Sequence, residues 1–162
     1  MEQKTHQSTT TLAEIKKYLK QQYENGCICP ACNQHVKMYK RKLTSTMAHV
    51  LLLFAKHVRE NGNAFVKFQN VMDQLQVPTS QRADWQKLVY FKLIEPETVE
   101  RGNPRVGYYK MTNLGIEFAN ERATVPDHCK VYNGKVFGYG IQHTNIKKAL
   151  KNKFNYNDLM NN

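Results

Sequence analysis

The chain has 162 residues, of which 41% are hydrophobic and 23% charged, and it carries a net charge of +11. That length supports one ordinary core, and no apolar run approaches the ~18 residues that a membrane span needs. The N-terminal MEQKTHQSTTT is polar and lacks the apolar centre of a secretion signal, so the expected location is cytoplasmic.

The charge is unevenly spread. Residues 1–60 carry ten basic and four acidic side chains, residues 61–123 eight and seven, and residues 124–162 six and two. A basic excess at both ends attracts polyanions, of which nucleic acid is the commonest.

Leu12, Ile15, Leu19 and Tyr23 recur at helical spacing with lysines between them, which predicts a helix over 10–24. A threonine among 9–11 caps its start and Gly26 ends it. The cysteine-rich stretch GCICPACNQH follows at 26–35. VKMYKRKL, 36–43, alternates basic and apolar residues, as a short strand with one wet, basic face does. Thr44 or Ser45 caps a helix over 45–60 with Met47, Val50, Leu51, Phe54 and Val58 as its apolar stripe, and Asn61-Gly62 stops it. AFVKF, 64–68, predicts a strand. FQNVMDQLQV, 68–77, predicts a short helix with Val71, Met72 and Leu75 inward. Pro78 ends that helix, and Thr79 or Ser80 caps the next, QRADWQKLVYFKLIE at 81–95. ETVERGNPRVGYYKMT, 97–112, reads as strand, turn, strand, with the turn at Gly102-Asn103-Pro104. Thr112 caps a further helix, TNLGIEFANER. Asn133-Gly134 between KVY and KVF marks a hairpin. Thr144 caps a helix over 145–151, and FNYNDLM adds a last helical turn.

This order resembles the winged-helix family in its MarR-like bacterial form, over residues 44–122. KLVYFKLIE, RGNPRVGYYKMT and TNLGIEFANE carry the resemblance, and a glycine often stands in the family where this chain has Lys92. The resemblance implies an α+β fold with a winged helix-turn-helix core at 44–123. An N-terminal helix and knuckle at 1–43 and a C-terminal hairpin and helix at 124–162 pack on that core. The resemblance also implies double-stranded DNA as partner, with the N-terminal residues of the second helix of the motif in the major groove. Aligned on the KLI end, Trp85, Leu88 and Leu93 face the core, and Thr79, Ser80, Gln81, Arg82 and Gln86 are left to face DNA. Gln81 and Arg82 are types that read adenine and guanine edges. Arg101 and Arg105 flank the wing turn. Lys37, Lys40, Arg41 and Lys42 before the domain, with Lys147, Lys148, Lys151 and Lys153 after it, supply phosphate contacts. The whole layout is also similar to small proteins encoded by bacteriophages, which would put it in a bacterial host cytoplasm.

Three of the four cysteines fall within six positions. Cys29-Pro30-Ala31-Cys32 is a C-P-x-C turn of the kind that faces two thiolates to one zinc ion. Cys27 is a third candidate, and Cys129, His128 or His35 a fourth, with Cys129 preferred because it would tie the two ends of the chain together. Reduced core thiols and a redox pair are the alternatives. A zinc here is expected to be structural, since no H-E-x-x-H or H-x-E…P-C-x-x-C pattern supplies a general base.

The expectation is a non-enzymatic, double-stranded DNA-binding regulator or accessory protein with a structural zinc. The alternative is a phage-encoded interaction module that inhibits a host protein and has no nucleic-acid role. Residues 10–24 or 144–160 offer a surface for a homodimer.

Overall fold

The computed structural model describes residues 10–82 and 84–161. Helix α1 spans Leu12–Gln22. Thr11 caps it in a reciprocal box with Glu14, whose carboxylate is held low in pKa by the Thr11 amide and hydroxyl. Its apolar stripe is only half covered: no residue of α1 is buried, and Leu12 is 64% exposed. Gly26, at φ +87°, returns its N–H to the Gln22 carbonyl and turns the chain.

A small antiparallel pair follows, β1 (Cys27–Ile28) with β2 (His35–Val36). The basic strand predicted over 36–43 is β3, Tyr39–Lys42. Helix α2, Ser45–Asn61, is capped by Thr44 on the Met47 amide and stopped by Gly62, whose N–H bonds the Val58 carbonyl. The predicted stripe lies in the core, but burial goes further. All six residues from Met47 to Leu52, and Phe54, are buried, so α2 is covered on every side over its first turns.

The central unit then runs through β4 (Val66–Lys67), α3 (Phe68–Gln74), β5 (Ile94–Thr98), β6 (Pro104–Met111) and α4 (Asn113–Ala119). Its sheet has the order β4-β6-β5, all antiparallel. Asn63 closes the unit by exchanging two hydrogen bonds with the Met111 backbone, at 2.9 and 3.0 Å.

The helix predicted over 81–95 is not an α-helix. Thr79–Gln81 and Trp85–Phe91 are two 3-10 stretches, and Asp84 between them sits at φ +63°. The expected inward residues do face the core. Leu88 and Leu93 are fully buried, and Trp85 stacks on Phe68 with ring centroids 3.7 Å apart. Asp84 in the left-handed region interrupts the segment, and the short pieces on either side are closed by i→i+3 bonds, Arg82 N–H to the Thr79 carbonyl and Lys87 N–H to the Asp84 carbonyl. Lys92 ends it at φ +58°. This is a left-handed position where a Cβ costs energy, the physical reason a glycine suits that place.

Thr112 caps α4 on the Gly115 amide and donates to the Lys92 carbonyl at 2.6 Å. Gly115 itself is packed against the Leu93 backbone: a Cβ built there would lie 2.0 Å from the Leu93 oxygen.

The C-terminal part contains β7 (Val125–Pro126), β8 (His128–Tyr132), β9 (Lys135–Tyr139) and β10 (His143–Thr144), followed by α5 (Ile146–Leu150) and α6 (Tyr156–Met160). Asn133 and Gly134 take φ +47° and +71°, the left-handed pair a two-residue hairpin turn demands. The expected cap at Thr144 is displaced by one residue. Asn145 caps α5, because Thr144 is taken up in the β10–β7 ladder and Asn145 reaches the Lys148 amide at 2.9 Å. The decisive pairing is β3 with β8, which forms the sheet β3-β8-β9 from both ends of the chain.

Replacing Gly115 with Ala forces α4 away from Leu93. The expected loss is at least about 2 kcal/mol, read as a lowered urea midpoint with an unchanged slope.

Candidate nucleic-acid interface and cysteine knuckle

The knuckle is built by backbone bonds. Cys29 N–H donates to the Gln34 carbonyl at 2.8 Å, and Asn33 N–H to the Cys29 carbonyl at 2.9 Å, with Asn33 at φ +58° closing the turn. The Cys29 sulfur accepts the backbone N–H groups of Ala31 and Cys32 and pairs with the Cys32 side chain, which together hold its pKa below the ordinary thiol value. That is the environment of a thiolate. Cys29 is buried, Cys27 half-buried and Cys32 exposed. Tyr132 of β8 faces this turn: its hydroxyl pKa is raised by burial, then by Tyr23 and by all three knuckle cysteines.

The register sorts the other donors. Cys27 pairs with Val36 and Ile28 with His35, so strand alternation puts His35 with Ile28, on the face away from Cys27. The His35 ring lies over Gly26 instead. Cys129 does not join the knuckle. It is fully buried on the core face of β8, opposite Arg41 and Tyr139, and burial pushes its thiol pKa up to about 11. His128 is held by Asp127 through a 2.6 Å contact at Nδ1. Among the described residues no group of three or more His, Cys, Asp or Glu side chains is assembled to hold a metal. Cys29 and Cys32 are the two knuckle side chains in direct contact.

The residues expected to read DNA divide sharply. Thr79, Ser80 and Gln86 are exposed, and Gln81 is half-buried. Arg82 is turned inward. Its guanidinium donates to the Val77 carbonyl at 2.7 Å, to Asp73 Oδ1 at 2.5 Å and to the Met72 carbonyl at 3.4 Å, leaving only 12% of its side chain exposed. Three of its five N–H groups are thus engaged, two of them on the Val77 and Met72 carbonyls beside the end of α3, and the side chain is drawn away from solvent. Asp84, which would repel phosphate, is neutralised by Lys87 at 2.5 Å.

Arg105 lies on β6, bonded to Glu97 at 3.1 Å and stacked 3.6 Å above the Tyr108 ring. Arg101 belongs to the turn Glu100–Gly102, and its side chain lies outside the described part of the structure. Lys37, Lys40 and Lys42 are exposed, whereas Arg41 is half-buried over the Tyr39 ring. In the C-terminal basic run, Lys147 is engaged by Glu121 at 2.7 Å. Lys151 and Lys153 border an open cleft of about 610 Å³.

The sequence signals the β8–β9 hairpin but gives no binding role to Lys130, Lys135 or Phe137. The alternation in KVYNGKVF was the available signal, and it becomes meaningful only once β3 pairs alongside. No helix among the described residues is long and apolar enough to cross a membrane.

Arg82→Ala is expected to lower stability by about 1–3 kcal/mol, since it leaves the Val77 carbonyl without its donor. A urea titration without any ligand reads this, and an unchanged midpoint would return Arg82 to the binding surface. No protein-family model, no curated protein and no solved structure matches this chain.

Proposed function

We propose that the protein is a double-stranded DNA-binding regulator or accessory factor that acts without catalysis in a bacterial cytoplasm. The observation that supports this best is the order β4-β6-β5. The strand between α2 and α3 pairs with the second strand of the β5–β6 hairpin, and this is the arrangement a winged helix requires. The two basic ends of the chain add the electrostatic attraction.

The mode of contact differs from base reading by Arg82, which is committed to α3. Thr79, Ser80 and Gln86 remain for groove contacts, Arg105 for the wing, and Lys37, Lys40 and Lys42 for phosphates. Binding on this reading is dominated by backbone charge and only weakly selective for sequence. The second reading is a docking module on a host protein. It draws on two fully or nearly fully exposed apolar residues, Val106 on the wing strand and Ile141 after β9, at 89% and 99% exposure.

Salt dependence separates the two. The logarithm of the association constant for a duplex is expected to fall linearly with the logarithm of salt, with a slope of about −0.9 per phosphate contact. Lys42→Ala should shallow that slope by about one contact and weaken all sequences alike. Duplex affinity that ignores salt would overturn the DNA reading and favour the apolar docking surface.

We also propose a structural zinc at the knuckle, held by Cys29 and Cys32 with Cys27 as the third thiolate. Bound zinc would tether the β1–β2 turn next to Tyr132. Native mass spectrometry of zinc-supplemented protein is expected to find the metal in the wild type and in Cys129→Ser, and to lose it in Cys29→Ser. Loss in Cys129→Ser alone would overturn this ligand set, and no bound metal in the wild type would leave Cys29 and Cys32 as free thiols.

A further inference from the structure

The sheet β3-β8-β9 has one face in the core and one in solvent, and register identifies the residues on each. Cys129 and Val131 are buried, so the alternate residues of β8 point the other way. Lys40 is directly opposite Lys130, Lys42 is opposite His128, and Tyr132 is opposite Lys135. The outer face therefore gathers Lys40, Lys42, Lys130 and Lys135.

Aromatic rings stand among these lysines. Tyr23, from the end of α1, stacks on Tyr132 with centroids 4.7 Å apart. Phe137 meets both rings edge-on, at 6.2 and 6.1 Å. The register shift in the β8–β9 ladder accompanies this arrangement, since three residues, Val136 to Gly138, span the two positions Val131 and Lys130. Phe137 is 54% exposed, although it is a large apolar side chain with two rings beside it. A pocket of about 250 Å³ opens between Lys40 and Lys130, lined also by Met38 and Glu24.

The charge pattern is costly for a bare sheet at one rung, where Lys40 faces Lys130. Like charges directly opposite each other destabilise a ladder. Glu24 offsets only Lys130, at 2.5 Å, and among the described residues Lys40, Lys42 and Lys135 have no acidic partner. A bound polyanion would relieve that repulsion, and exposed rings interleaved with it would take flat, unpaired bases. An apolar protein partner would gain nothing from the lysines. A duplex hides the base faces that the rings need.

From this juxtaposition of four lysines with the Tyr23–Tyr132–Phe137 cluster we infer that the outer face of the β3-β8-β9 sheet binds single-stranded nucleic acid. Phe137 stacks on a base, and Lys40, Lys42 and Lys135 contact the phosphates. The site does not depend on the winged-helix reading, since it shares only Lys40 and Lys42 with the proposed duplex contacts.

Fluorescence anisotropy with labelled oligo(dT), oligo(rU) and a mixed-sequence duplex tests it. Because Phe137 is exposed, its replacement leaves the core intact. Phe137→Ala is expected to weaken oligo(dT) binding roughly five- to a hundredfold, the range typical of one stacked base, while duplex affinity stays within about twofold. Phe137→Trp should restore binding, with its emission quenched by oligo(dT) and not by duplex. Oligo(rU) bound more tightly than oligo(dT) would identify RNA as the strand on the same face. Equal affinity of wild type and Phe137→Ala for both single strands would overturn the proposal, as would the absence of single-strand binding at low salt. Single-strand binding without duplex binding would overturn the duplex reading and leave this one standing. Duplex binding without single-strand binding would do the reverse.

Discussion

The burial of α2 on all sides is the constraint from which the rest of the architecture follows. A helix with one apolar stripe needs one layer against it, whereas six consecutive buried residues need cover all round. α2 meets the Trp85–Phe91 segment, α3, α4 and β6 of the central unit, and α5 and α6 from the C-terminal part. The C-terminal residues are thus part of the same core, and Arg59 fastens the last of them by donating to the Met160 carbonyl at 3.0 Å. His49 shows what this costs. It lies off the predicted stripe, yet it is enclosed and stacked on Phe154 at 4.0 Å, with Nδ1 unpartnered and burial, then Lys153, holding it neutral.

The two ends of the chain are joined by backbone pairing. Cys129 was a natural candidate for a metal tie between the N-terminal knuckle and the C-terminal hairpin, and the two regions do meet. They meet through β3 and β8, where the Cys129 backbone lies opposite Arg41 and its thiol faces the core. A ladder satisfies a row of amide and carbonyl groups at once. It also leaves an outer face whose charge comes from both termini.

Local signals were read well where a few neighbouring residues settle the outcome. Thr44 and Thr112 cap helices because a hydroxyl three residues before an amide can reach it. Asn133-Gly134 turns because both residues tolerate positive φ. The segment 81–95 has apolar spacing that suits an α-helix, but Asp84 at positive φ breaks it into short 3-10 pieces. The role of Arg82 depends on residues outside its own segment. An arginine at the start of a reading helix and an arginine bonded to the Val77 carbonyl are the same letter, and only the position of α3 distinguishes them.

By itself the sequence determined the order of the longer helices and strands outside residues 81–95, most of their caps and turns, the stripe of α2 and the basic character of both ends. These depend on interactions within a few residues and on composition. The tertiary structure alone decided that β3 pairs with β8, that Cys129 packs in the core and His35 lies over Gly26, and that four lysines share a face with three rings. Register and burial are set by contacts across about a hundred residues of chain, and no local pattern encodes which strand will lie beside which.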